Sequence, residues 1–246
     1  MEELNFTHAY HNANTLVRNI RNVDEGDWYS YINEKSPEFL RRISKPSKDS
    51  LLHDLIRCRI VNDYEYLSRK WCEECVEDFI ITLEDSGIEQ PSWLSEGHVY
   101  EHRSELYEML VLAAEREIKA TFHLLFSNRN FLYDFQTAIS EMYIEDMKRS
   151  DHPQILKRDG VLKRPTHIPE WLKTAVFHRD QGRCQVCWKD LTGLLIPLKD
   201  YQLDHMVPLA SSGTNDATNF QLICSKCNLE KSSNSFIKPH KVLTYW

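Results

Sequence analysis

Between Cys184 and Lys231 the sequence sets out residues of two chemical kinds. Four cysteines stand as two Cys-x-x-Cys pairs, Cys184 with Cys187 in GRCQVC and Cys224 with Cys227 in LICSKC, separated by 36 residues rich in turn formers. Each pair can offer two sulfurs from one tight knuckle, and two knuckles complete the tetrahedral four-sulfur shell that Zn²⁺ prefers. A closed shell has no position for water or substrate, so such an ion supports the fold rather than the reaction. The reactive chemistry must then lie between and beside the knuckles. There stand Asp204-His205, Asn219 fourteen residues after the histidine, and Asn228 nine further on. A histidine can accept a proton from water near neutral pH. An isolated Asp-His pair could equally cap a strand in a zinc-stabilised binding module.

Taken in order, the Asp-His pair, both asparagines and both knuckles resemble the HNH endonuclease family, the ββα-metal nucleases. The resemblance extends upstream to IPEWLKTAVFHRDQGRCQVC, which is similar to the family's helix, Arg-Asp and first knuckle, and includes Pro208, Gly213 and Lys231. It covers roughly residues 165 to 235, and the first 150 residues carry no such likeness. The resemblance implies a strand ending at His205, a connecting loop stabilised by Asn219 and a helix opened by Asn228. It further implies that His205 is the general base, that Asn219 orients it, and that Asp204 and Asn228 bind a catalytic Mg²⁺ or Mn²⁺ ion. The products would carry 5′ phosphate and 3′ hydroxyl groups. Asn228 occupies the place of the family's second histidine, and a carboxamide oxygen beside a carboxylate favours a hard ion, Mg²⁺ first. DNA, double-stranded in the first instance, is the implied substrate, with restriction or anti-phage defence as the setting.

A net charge of −7 looks wrong for a nucleic-acid binder, but it averages two unlike parts. From Lys157 onward 13 Lys and Arg stand against 8 Asp and Glu, a formal +5, while residues 1 to 156 have 17 against 29, or −12. Arg179, Arg183 and Lys231 flank the motif and are the candidates for phosphate contact. The acidic part is expected to repel DNA at long range and to act in regulation or docking of a protein partner.

The elements that must position these groups follow from periodicity. Leu52, Leu55, Ile56, Ile60, Tyr64, Leu67, Trp71, Cys75, Phe79 and Leu83 recur mostly every three or four residues, which predicts one long helix that could exceed roughly thirty residues. Leu106, Leu110, Ala114, Ile118, Phe122 and Leu125 form a second stripe, and Phe131, Phe135, Ile139, Tyr143 and Met147 a third after the break SNRN. The expected fold is mainly α: an acidic helical bundle over 1–160, then a small α+β ββα-metal domain with structural zinc over 161–246. The Pro-containing, basic segment DHPQILKRDGVLKRPTHIP reads as the linker.

Cys58, Cys72 and Cys75 read as helix residues rather than ligands, and His98 with His102 as an ordinary helix start. No basic stretch leading into an apolar run opens the sequence, and no long apolar run occurs, so no membrane association and a cytoplasmic location are expected. The competing class is a non-catalytic zinc-ribbon subunit that binds nucleic acid or protein.

Overall fold

The structure, a computed structural model, describes residues 7–20, 36–70, 74–96, 98–193 and 201–231. The chain divides into two compact units, Met1–Ile32 with Leu52–Leu124, and Asn33–Leu51 with Leu125–Trp246. The expected boundary at residue 160 falls inside the second unit, which also takes in a short segment from near the start of the chain.

The first unit is helical. It contains α1 (Thr7–Asn19), most of α3 (Leu51–Lys70), α4 (Glu74–Asp85), the single turn α5 (Ser92–Ser95) and most of α6 (Arg103–Ser127). The stripe read as one long helix is divided between α3 and α4, and residues 71–73, including Trp71 and Cys72, lie outside the described residues. Its core consists of the apolar positions that periodicity picks out, among them Leu52, Leu55, Ile56, Ile60, Phe79, Leu83, Leu106, Leu110, Ala114 and Ile118, all buried. One polar cluster interrupts it. Glu117, on α6, accepts hydrogen bonds from Asn12 and from the Tyr64 hydroxyl. Among the described residues no helix is long and apolar enough to cross a membrane.

The second unit combines α2 (Pro37–Ser44), α7 (Arg129–Ile139) and α8 (Glu170–Arg179) with two small antiparallel sheets and a terminal helix. Helix α2 starts where Ser36 accepts from the Phe39 N–H with Pro37 at the first helical position, and α7 starts where Asn128 accepts from the Phe131 N–H. The third apolar stripe forms α7, buries Phe131, Phe135 and Ile139, and runs on into a π-helical turn over Ser140–Ile144.

The segment expected to be a linker is instead ordered. Strands β1 (Leu156–Arg158) and β2 (Val161–Leu162) pair antiparallel, and Leu156 and Leu162 are buried. Asp159-Gly160 makes the two-residue turn, and Gly160 has φ +63, a conformation that favours glycine. A side chain there would also meet the Glu145 carbonyl oxygen at 2.7 Å.

Strands β3 (Tyr201–His205) and β4 (Phe220–Cys224) pair antiparallel in the register Tyr201↔Cys224 to His205↔Phe220, and α9 (Ser225–Lys231) follows directly. This is a ββα unit. Every residue of β4 is buried, so its run FQLIC serves as the core strand, packed with Leu172 and Val176 of α8, Leu191, and three of the knuckle cysteines. The chain is thus a largely helical N-terminal part followed by a small α+β region.

Candidate active site and metal centre

The register of the hairpin decides where the chemistry sits. His205 is the last residue of β3 and faces Phe220, the first of β4, with ring centroids 4.6 Å apart. Strand alternation puts Gln202 and Asp204 on one face of β3, and helical spacing puts Asn228 and Lys231 on one face of α9. These faces meet. The Asn228 carboxamide donates to Gln202, while the Lys231 ammonium donates to Asp204 Oδ2 at 2.5 Å and to the His205 carbonyl at 2.7 Å. Asp204 and Asn228 therefore lie on the same side of the ββα unit. Among the described residues neither Asp204 Oδ1 nor the Asn228 carboxamide oxygen accepts a hydrogen bond. One carboxylate oxygen and one carboxamide oxygen form the hard donor set of a largely hydrated Mg²⁺ or Mn²⁺, so these residues fit such an ion.

His205 is buried, and its Nε2 lies 3.0 Å from Asn215 Oδ1. Burial lowers its pKa to about 4, against the opposing pull of the Asn215 hydrogen bond and the Asp204 charge, so the ring is neutral at neutral pH. Asn219 works on the loop between His205 and itself. Its Oδ1 accepts from the Val207 N–H at 2.9 Å, and its Nδ2 donates to the Val207 and Thr214 carbonyls at 3.0 and 2.8 Å. Gly213 closes that loop because a Cβ there would lie 1.9 Å from the Val207 carbonyl oxygen, a distance no side chain tolerates.

Three buried polar residues that sequence reasoning passed over hold the loop in place: Asn215, Asp216 and Gln136. Asp216 accepts from the Leu51 and Thr218 N–H groups, both at 2.9 Å, and from the Thr218 hydroxyl at 2.5 Å. Gln136 on α7 accepts from the Thr214 hydroxyl at 2.7 Å and donates to the Thr218 hydroxyl at 2.8 Å. Full burial raises the Asp216 pKa, because these donors offset only part of the lost hydration. The dipeptide Asn215-Asp216 was the available signal, but it reads as an ordinary turn when its distant partners are unknown.

The four cysteine sulfurs lie within 4.8 Å of one another, and they are the only group of three or more His, Cys, Asp or Glu side chains among the described residues so gathered. Cys187 Sγ and Cys224 Sγ are 3.8 Å apart. Tetrahedral Zn²⁺ with Zn–S bonds of about 2.3 Å requires sulfurs roughly 3.8 Å apart, so the cluster fits the ion. The second knuckle turns its main chain toward sulfur, with the Cys227 N–H 3.4 Å from Cys224 Sγ, and the first is tied to β4 by the Gln185 N–H on the Leu222 carbonyl at 3.0 Å. Burial raises the Cys184 pKa, but hydrogen bonds from the Cys187, Cys224 and Val186 main chain outweigh it and lower it to about 7. Burial pushes the Cys187 and Cys227 thiols up.

Residues 184–234 match the HNH endonuclease family. The matched segment contains both knuckles, β3, β4, α9 and the whole loop between the strands, so the HNH likeness coincides with the ββα unit. Residues 194–200 and 232–234 of the HNH segment lie outside the described residues. No curated protein and no solved structure matches the chain.

Two of the cations expected at phosphates are buried in the structure. The Arg179 side chain is 1% exposed, bonded to both Asp180 oxygens and to the Phe220 carbonyl, with its guanidinium 4.9 Å from the Phe126 ring. The Lys231 side chain is 3% exposed and committed to Asp204 and His205. Both cations brace the HNH segment from within. The reason is a carboxylate partner in each case, the buried Asp180 for Arg179 and the partly buried Asp204 for Lys231, and desolvated charges persist only when paired. Arg183 is partly exposed, and Arg183 Nη1 lies 3.4 Å from the Trp188 carbonyl.

Proposed function

We propose that the HNH segment is a metal-dependent endonuclease that hydrolyses phosphodiester bonds in DNA, with duplex DNA as the first substrate. The observation that carries this reading is geometric: His205 ends β3, and its neighbour Asp204 shares a face with Asn228. In this reading His205 takes the proton of the attacking water, and Asn219 keeps the loop behind it in register. Asp204 and Asn228 would hold Mg²⁺ or Mn²⁺, which when bound stabilises charge on the phosphate and on the leaving 3′ oxygen. Cys184, Cys187, Cys224 and Cys227 would hold structural Zn²⁺. Arg183 remains the candidate for phosphate contact. Restriction or anti-phage defence is the setting proposed for the activity, and the charge contrast supports partner docking or regulation by the acidic N-terminal part.

One observation favours a second reading, a zinc-stabilised module that binds without cutting. Lys231 already places a positive charge on Asp204, where the divalent ion would bind. Incubation of the full-length protein with supercoiled plasmid and Mg²⁺ or Mn²⁺ separates the two. The nuclease reading expects relaxed or linear product from the wild type and none from His205→Ala at unchanged zinc content. Retained DNA affinity with no new ends from either protein would establish the binding module instead.

A further inference from the structure

We infer that Asn215 is the positioning residue of His205: it selects the ring tautomer with the proton on Nε2 and leaves the Nδ1 lone pair free. The assignment of that lone pair to the attacking water rests on the nuclease reading above; the tautomer itself does not.

Asn215 is fully buried, and its Nδ2 donates to the Ser44 carbonyl at 3.1 Å and to the Lys163 carbonyl at 2.8 Å. A carboxamide has two hydrogens on nitrogen and only lone pairs on oxygen. Both hydrogens meet carbonyl acceptors here, so the flipped orientation would set an oxygen against two oxygens. The hydrogen-bonding surroundings therefore settle which way the amide points. Oδ1 must be the atom 3.0 Å from His205 Nε2. Oxygen only accepts, so Nε2 carries the hydrogen. In a neutral imidazole the other nitrogen, Nδ1, then carries the lone pair.

The acceptors that fix the amide come from far away in sequence. Ser44 and Asn215 are 171 residues apart, and the Asn215 main-chain N–H donates to the Ile43 carbonyl at 2.8 Å. Ile43 and Ser44 are the last two residues of α2, and a helix leaves its final carbonyls without partners of its own. Asn215 satisfies both. The base is thus oriented by the end of a helix outside the segment that carries the HNH likeness. Asn219, which the resemblance credits with orienting the histidine, acts one step removed: it holds the Thr214 carbonyl, next to Asn215.

The test uses the full-length protein at one neutral pH. Nitrogen-detected NMR of the His205 ring, assigned by difference with His205→Gln, is expected to show the Nε2–H tautomer in the wild type. An Nδ1–H ring, or an even mixture, overturns the inference, whether or not the protein cuts DNA. Failure of the wild type to cut plasmid would instead remove the nuclease reading and leave the tautomer result standing. With plasmid, Asn215→Ala is expected to lower kcat about 10- to 100-fold with KM changed less than about twofold. Asn215→Asp keeps an acceptor-only atom for Nε2 while setting a carboxylate against two carbonyls. It is expected to melt at a lower temperature than Asn215→Ala and yet to retain the higher kcat. Activity that simply follows stability across the two variants would make Asn215 a structural residue and sink the proposal.

Discussion

The interiors of the helical unit and of the loop behind His205 are built from opposite materials. In the helical unit Leu106, Leu110, Ala114 and Ile118 of α6 sit in an apolar core whose main polar interruption is the Glu117 cluster. In the loop, residues 214–219 are all buried, and every one except Ala217 is polar. Apolar packing is not directional, and a core of about the right volume can readjust. A buried hydrogen-bond network specifies one arrangement, because each group that loses its partner bears the full penalty of desolvation. Accuracy is therefore demanded at the histidine, whereas the space between the helices need only be filled.

The largest effect expected from testing this contrast comes from the four-cysteine cluster of the HNH segment. Cys224→Ser should release zinc and unfold the ββα unit, since a structural zinc site can contribute on the order of 10 kcal/mol to a small domain. Metal analysis together with hydrogen exchange over β3, β4 and α9 would read this. Protein purified without zinc, or a variant with unchanged protection, would show that no metal supports the unit. His205→Ala comes next. It should reduce cleavage by roughly 10²- to 10⁴-fold, the usual worth of a general base, at unchanged zinc content, and also lower the melting temperature, because the buried Asn215 oxygen loses its partner.

Gln136→Leu addresses the network itself, for it leaves the Thr214 and Thr218 hydroxyls without their α7 partner. A loss of about 1–3 kcal/mol in denaturant unfolding is expected, with cleavage falling as the loop loosens. A variant as stable and active as the wild type would show that the polar interior tolerates the loss of a partner as readily as an apolar one. In the apolar region Ile118→Val should cost only about 1 kcal/mol and leave cleavage unchanged.

The smallest effect concerns the polar exception in the helical unit. Burial raises the Glu117 pKa above its ordinary value of 4.5, with the Tyr64, His8 and Asn12 interactions offsetting only part of the shift. A carboxyl whose folded pKa is raised adds stability below its unfolded pKa and loses that contribution as pH climbs through the folded value. Glu117→Gln should therefore flatten the fall in melting temperature from about pH 4.5 upward. Parallel curves for the two proteins would mean that Glu117 titrates alike in both states.

Features that depend on neighbours in the chain were legible from the start. A Cys-x-x-Cys pair places two sulfurs in one turn whatever surrounds it, so two pairs announced the four-sulfur cluster before any fold was known. Apolar residues every three or four positions announced α3, α6 and α7. The Asp159-Gly160 turn was equally local and equally legible, but the prolines and basic residues around it suggested a linker. What the sequence could not determine was the direction in which polar side chains point. Arg179 and Lys231 looked like surface cations and became buried braces, because Asp180 and Phe220 in one case, and Asp204 with the His205 carbonyl in the other, supply partners inside the fold. Asn215 gained its place from Ser44 and Lys163, one of them 171 residues away. Periodicity and motif spacing record short-range geometry. Whether a buried polar group is tolerated depends on donors and acceptors that only the tertiary structure brings within 3 Å or so of it.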